Sequence, residues 1–343
     1  MYRYRPPING LISLFSLLVA LFVGFWIRGD QRESIGSNNI KLTCWKNIQN
    51  ASEICRPICG DNFFSLPNMT TCYPWLDCDQ INKEIIIQDV IERGLVKVVR
   101  HGVWREHPVA INQLLNPAFR DDFQHGLHML VHLQTSSVPV TELVGYCAKN
   151  DTFVTRFYPL GSAVNVEHIF DNLRNWNNIK FRFGLCVQYV GIIHGLHTSP
   201  IGTRVMCDSN GPSKALSQFL LREDLSLILN DVDALPKVDK SQEQLVKCGH
   251  RELFGDFVAP EQHWPFSDKE YKDEEMPGYD EKVDIWKIPD VCNALLGDGP
   301  GSSRLRLQLL SLHMECKQIE PSKRPSAENI LKQYTKIIDS LQE

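Results

Sequence analysis

The stretch Leu227 to Pro236, LILNDVDALP, places three apolar residues ahead of a turn carrying two carboxylates one residue apart. Leu227, Ile228 and Leu229 read as a short buried strand, and Asn230, Asp231 and Pro236 are the turn chemistry that ends it. A strand that delivers an acid to a fixed turn suits a hard divalent cation, which takes oxygen ligands from carboxylates. Asp231 sits where the strand ends, and Asp233 is the alternative ligand. Upstream, VMCDSN (Val205 to Asn210) offers Asp208 as another candidate acid, although Asp-Ser-Asn is also ordinary turn chemistry.

Around this centre the chain organises into an α+β pattern. Ile85 to Ile87, Leu95 to Val99 and Val109 to Ile111 are rich in β-branched residues and predict an antiparallel sheet. Phe123, Leu127, Leu130 and Leu133 recur at helical spacing, Phe153 to Thr155 returns to strand, and Leu185, Tyr189, Ile192 and Leu196 mark a long helix. The remainder is mostly helical, ending in an amphipathic helix from Ile330 to Leu341. Strands with one helix, then a helix-rich remainder, suggest two lobes.

The 343 residues carry 36 Lys and Arg against 41 Asp and Glu, a net charge of -5. With no long basic run, that balance argues against a nucleic-acid surface. Leu11 to Ile27 is an unbroken run of apolar and small residues, near the minimum needed to span a bilayer. It reads as an uncleaved signal anchor after a cytoplasmic tail of residues 1–10, because no small-x-small cleavage site follows it. Arg3 and Arg5 lie before it, whereas Arg28 and Arg32 are interleaved with Asp30 and Glu33, which puts the bulk of the chain in the lumen. Asn50, Asn68 and Asn150 begin glycosylation-acceptor triplets. Cys44, Cys55, Cys59, Cys72 and Cys78 crowd residues 28–80 and read as a disulfide-stapled stem or cap, with residues 81–343 as the main domain. The pairing does not follow from the spacing, and the odd total of 11 cysteines leaves at least one thiol outside an intrachain pair.

Taken in order, further landmarks resemble the protein kinase superfamily. VAIN (Val109 to Asn112) resembles its third-strand VAIK, DTFVTRFYPLGS its fifth strand and hinge, and GIIHGLHTSPIGTRVMCDSN the helix leading into its catalytic loop. LILNDVDALP falls where Asp-Phe-Gly is normally written, Ala259-Pro260-Glu261 matches Ala-Pro-Glu, and CKQIEPSKRP brings the arginine, Arg324, that would pair with Glu261 in the lower lobe. The resemblance implies a bilobal protein-kinase-like fold preceded by a transmembrane helix and a cysteine-rich segment.

Finer stretches (VMCDSN, LNDVDALP, KCGHREL, GDFVAPEQ and DEKVDIWKIPD) are similar to a secretory-pathway branch of that superfamily acting on protein-linked mannose. That likeness implies an ATP-dependent phosphotransferase using Mg²⁺ or Mn²⁺. It also implies the acceptor, the six-hydroxyl of mannose in a GalNAc-GlcNAc-mannose trisaccharide on α-dystroglycan, and residence as a single-pass type II protein of the endoplasmic reticulum membrane.

The substitutions then have to be compatible with chemistry. Asp208 is the expected catalytic acceptor of the attacking hydroxyl's proton. Asn112 cannot supply the usual phosphate-binding charge, so the expected lysine is Lys97, one strand earlier and just past Gly94 of the phosphate-covering loop, as in the with-no-lysine kinases. The usual acidic partner falls on Gly126, leaving Asp122, one helical turn earlier, as the candidate. For the second metal ligand a forward count gives Ser213, whereas counting back from Asp231 gives Gln218. Backbone groups from Arg156 to Tyr158 are expected to meet the adenine. Cys207 replaces the arginine that reads an activation-loop phosphate, which predicts constitutive activity, and a disulfide to Cys248 would stiffen that segment. A pseudokinase scaffold for a glycan or partner, or a secretory Ser/Thr kinase, would share the fold. The joint survival of Asp208, Asp231 and Lys97 favours an enzyme.

Overall fold

The computed structural model describes the strand Arg32–Ile35 and residues 41–341. The anchor read over residues 11–27 lies outside them; among the described residues no helix is long and apolar enough to cross a membrane. In chain order the strands are β1 (Arg32–Ile35), β2 (Lys41–Lys46), β3 (Glu53–Pro57), β4 (Phe63–Phe64), β5 (Tyr73–Pro74), β6 (Ile85–Arg93) and β7 (Lys97–Trp104). They continue as β8 (His107–Leu114), β9 (Leu143–Cys147), β10 (Thr152–Arg156), β11 (Thr203–Arg204), β12 (Phe219–Leu221), β13 (Leu227–Leu229) and β14 (Lys237–Val238). The principal helices are α1 (Cys78–Glu84), α2 (Arg120–Leu133), α3 (Val166–Asn172), α4 (Ile179–His197), α5 (Pro212–Ser217), α6 (Lys282–Leu296), α7 (Ser302–Cys316) and α8 (Ala327–Ser340).

The upper lobe is a five-stranded sheet ordered β6-β7-β8-β10-β9, so the three strands expected from β-branched runs pair as adjacent hairpins. Alternation divides its two faces. Trp104, Val109, Ile111, Val144 and Val154 point upward and are sealed by Phe64, Leu66 and Leu76 of the cysteine-rich segment. Gly145 makes that seal possible, because a Cβ there would strike the backbone of Leu76. A capping box between Asp77 and Gln80 starts α1, the helix that leads from this cap into β6.

The lower lobe is built on α4, which is buried around nearly its whole circumference from Arg182 to Leu196. A helix apolar on every side belongs at a core centre rather than on a surface. Ile285, Ile288, Leu295, Ile330, Tyr334 and Ile338 of α6 and α8 close over it.

Disulfides join Cys44 to Cys55, Cys59 to Cys72, Cys78 to Cys147, Cys186 to Cys292 and Cys207 to Cys248, leaving Cys316 as a buried free thiol. The third staples the cap to β9. The three asparagines of the acceptor triplets, Asn50, Asn68 and Asn150, are all exposed.

Where β10 leads into the lower lobe, the cap meets both lobes in a buried charge network. Arg156, 1% exposed, donates to Glu142 at 3.3 Å and to Glu223 at 2.5 Å. Arg56 of β3 donates to the same Glu142 at 2.8 Å, as does the Tyr158 hydroxyl at 2.6 Å. Trp45 of β2 lies under the guanidiniums of Arg156 and Arg222 and donates its indole N–H to Glu223. Burial alone would raise the Glu142 pKa, but the Arg56 and Arg156 guanidiniums outweigh it and hold the carboxyl down from 4.5 to about 2. A carboxylate depressed in the fold stabilises fully above its unfolded value and loses that contribution as pH falls through its folded one. Glu142→Gln is therefore expected to cost roughly 3 kcal/mol at neutral pH, with the gap to the parent narrowing between 4.5 and about 2. Urea unfolding of both proteins at neutral and strongly acid pH measures this, and an equal gap at the two values would contradict it.

Candidate active site

The lower face of the sheet roofs the cleft between the lobes. Val98 and Trp104 of β7 are buried on the upper side, so Lys97, Val99 and His101 turn downward, with Asn112 paired across from Val99. Lys97 reaches across to the turn after β13. Its Nζ lies 2.7 Å from Asp231 Oδ1 and 4.0 Å from Asp233 Oδ2. Burial would lower the lysine pKa, yet the two carboxylates outweigh it and raise it, so the ammonium is fixed. Burial also works to raise Asp231, but the adjacent Lys97 holds that carboxyl below its ordinary range. Asp233 is pushed up to about 7 by burial and by the charge of Asp231.

Asn112 occupies the usual lysine position without a charge. It is buried, and its side-chain N–H reaches the Thr155 hydroxyl and the Ala110 carbonyl at 3.4 Å each.

The expected partnership of Lys97 with Asp122 does not form. Asp122 lies exposed in the first turn of α2, while the position that would face the lysine holds Gly126. A Cβ on Gly126 would stand 3.0 Å from that of Asp233. The missing side chain lets the Asp231–Asp233 turn pack directly against α2, and the acids of that turn serve the lysine instead.

Asp208 is fixed from several directions. The Cys207 N–H donates to the Ala234 carbonyl and the Val205 N–H to that of Pro236, tying the Asp208 loop to the Asp231 segment. Below it, Asp284 of α6 accepts from the Met206 N–H at 3.1 Å and contacts His197 at 3.1 Å, while Lys287 donates to Ser209 at 2.7 Å. The Cys207–Cys248 disulfide anchors the same loop to the segment before Ala259. Glu261 and Arg324 form a two-pronged ion pair at 2.5 and 2.8 Å beneath it.

Gln218 is 2% exposed and lies between the two acids. Its side-chain N–H is 3.5 Å from Asp208, while its backbone carbonyl accepts from the Asp231 N–H at 3.2 Å. Pro212–Ser217 fold as the short helix α5, which moves the partner of Asp231 from Ser213 to Gln218. α5 also brings in a residue that the landmark comparison missed: Lys214 Nζ lies 2.5 Å from Asp208 Oδ2, and its charge helps depress Asp231. Its only sequence signal was a lone lysine inside an apparent insertion.

Arg156 and Tyr158 do not turn their side chains into the cleft; both are committed to Glu142. The Arg156 N–H donates to the Glu142 carbonyl and the Tyr158 carbonyl accepts from Gly161, so Phe157 is the residue between two occupied backbone groups. Gly94 closes the turn between β6 and β7, its N–H donating to the Lys97 carbonyl at 2.9 Å.

Asp231 and Asp233 offer carboxylate oxygens, and Gln218, whose side-chain N–H faces Asp208, offers an amide oxygen. Among the described residues no group of three or more His, Cys, Asp or Glu is arranged to hold a metal by itself. A small hard cation bound through one or two protein oxygens and completed by phosphates suits that set. Lys97→Ala is expected to weaken nucleotide binding and lower turnover by about 10²–10³, and Lys214→Ala, at a half-exposed position, to lower turnover by about tenfold with unchanged stability. Single-turnover phosphoryl transfer and nucleotide titrations measure both, and full activity of Lys97→Ala would place the phosphate-binding charge elsewhere.

No family model matches the chain. Curated relatives do. The chain is 46% identical over 289 residues to protein O-mannose kinase of Homo sapiens, covering 83% of this chain and 82% of that one. It is 46% identical over 290 residues to the Gallus gallus protein of the same name, covering 83% and 81%. The Xenopus laevis protein O-mannose kinase is 44% identical over 284 residues, covering 82% and 80%. With this identity along most of both lengths, and a two-lobed fold that gathers Lys97, Asp208 and Asp231 into one cleft, the chain belongs to the protein O-mannose kinase family.

Proposed function

We propose that the chain is an ATP-dependent carbohydrate kinase that transfers the terminal phosphoryl group to the six-hydroxyl of a protein-linked mannose. The supporting observation is the pairing of two carboxylates with two ammonium groups in one cleft, Asp208 with Lys214 and Asp231 with Lys97. Phosphoryl transfer asks the protein for alignment and charge neutralisation rather than covalent chemistry. Asp208 accepts a hydrogen bond from the acceptor hydroxyl, points its oxygen lone pair along the line of attack, and takes the proton as the new O–P bond forms. Lys97 and Lys214 balance the phosphate oxygens from opposite sides. Asp231 and Gln218 are the residues that would hold a divalent cation, Mg²⁺ or Mn²⁺, whose charge would offset that of the phosphates. Asp208 is 37% exposed at the cleft mouth, which leaves room for a branched sugar carried on a protein.

On this reading the acceptor is the mannose of a GalNAc-GlcNAc-mannose trisaccharide on α-dystroglycan. The domain works on the lumenal side of the endoplasmic reticulum membrane, tethered as a type II protein through residues 11–27. Five disulfides suit such an oxidising compartment.

Incubation with labelled ATP, Mg²⁺ or Mn²⁺ and either the synthetic trisaccharide or a Ser/Thr peptide pool tests the assignment. Label should pass to the trisaccharide alone, and Asp208→Asn should reduce transfer by about 10²–10⁴. Transfer to neither acceptor, together with no metal-dependent ATP binding, would overturn it.

A further inference from the structure

Helix α7 is apolar on two sides. Leu305, Leu309, Leu312 and Cys316 form its inner face and belong to the lower-lobe core. Its outer face carries Leu307, Leu310 and Met314, which are 72%, 51% and 61% exposed. A surface helix ordinarily turns polar side chains outward, and singly exposed apolar residues need no explanation, but apolar residues grouped on one exposed stripe mark an interaction surface. At about 100° per residue, Leu307 and Met314 fall within about 20° of one another, two turns apart, with the small Ser311 between them. Leu310 lies on one flank of that line. Arg304 and Glu315, both exposed, lie together on the other.

The flanks identify what covers the stripe. Arg304 and Glu315 are separated by about 16 Å along the helix axis, too far to pair within one helix. We propose that α7 is a self-association surface, on which a second copy of this chain packs its own α7 antiparallel across a two-fold axis between Leu310 and Ser311. That rotation sets Leu307 against the partner's Met314 and keeps each flank facing its own counterpart, so Leu310 meets the partner's Leu310. It also brings Arg304 level, to within about 3 Å along the axis, with the partner's Glu315. Every contact is made twice, as an isologous interface requires. A parallel pair would instead set Arg304 against the apolar flank of Leu310. A lipid surface would favour basic residues along the border of the stripe, where Glu315 stands.

Analytical ultracentrifugation of the full chain in detergent micelles, over a concentration series, reads the association without turnover. The parent is expected to be a concentration-dependent dimer with a dissociation constant in the roughly micromolar range, as a helix-sized interface implies. Arg304→Glu places like charges opposite one another twice and should raise that constant by about tenfold, whereas Arg304→Glu combined with Glu315→Arg should restore it, with unshifted thermal midpoints. Ser311→Cys, beside the axis, should give a disulfide-linked dimer on a non-reducing gel, and Gln333→Cys, exposed on α8, should give none. A parent that stays monomeric, or a dimer indifferent to Arg304→Glu, would overturn the proposal. So would a double reversal no tighter than the single variant, or equal cross-linking through the two introduced cysteines.

Discussion

The two lobes are held at their separation by the buried charges around Arg156. That guanidinium sits at the hinge, yet its partners come from three places: Glu142 ahead of β9, Glu223 in the β12–β13 hairpin, and the indole of Trp45 in the cap. Arg56 extends the set into β3. Removing one member of a buried ionic set leaves its partners charged and desolvated, so the members stand or fall together. The Ile48 N–H also donates to the Glu223 carbonyl, which makes the cap a brace fastened to both lobes rather than an appendage of one. The height of the cleft, and so the reach required of Lys97, is set by this brace.

Within that fixed height, the departures from a standard kinase site compensate one another. A lysine on β7 approaches the phosphate position from a different strand than one at Asn112 would. It meets the Asp231 turn, and Gly126 clears the space for that turn to press against α2. An acid at the Gly126 position would crowd Asp233, whose Cβ would lie 3.0 Å from the new Cβ. The relocated lysine and the missing helix acid are therefore one rearrangement. The catalytic loop is likewise secured from beneath by Asp284 and Lys287 and from the side by a disulfide, which replaces a phosphate-reading arginine with a covalent tie.

Much of this was legible in the sequence because it depends on local pattern. The β-branched runs that became β6, β7 and β8, the apolar helix α4 and the order of the acidic landmarks all carry their signal within a few residues. What sequence did not reveal depends on distant partners. For Arg156 the sequence offered only a backbone role beside the adenine, and the burial of its side chain against Glu142 and Glu223 from other segments left no local signal. Asp122 had the right chemistry but lies exposed in the first turn of its helix, one turn away from Gly126 and the acids that meet Lys97. Lys214 was hidden because helical folding of an insertion, not its length, decides where the lysine points.

The five disulfides divide into two kinds when the chain is followed as it is made. Cys44–Cys55, Cys59–Cys72 and Cys78–Cys147 join each cysteine to the next one synthesised, so order of appearance alone yields the correct partners. The lower lobe breaks that rule, because Cys207–Cys248 is nested inside Cys186–Cys292. Pairing by arrival would join Cys186 to Cys207 and Cys248 to Cys292. Cys186 must instead remain a thiol while two later cysteines are made, and its place on the fully buried α4 withholds it from them. In the cap, oxidation can lead folding; in the lower lobe, packing of the helix core has to come first and choose the bond.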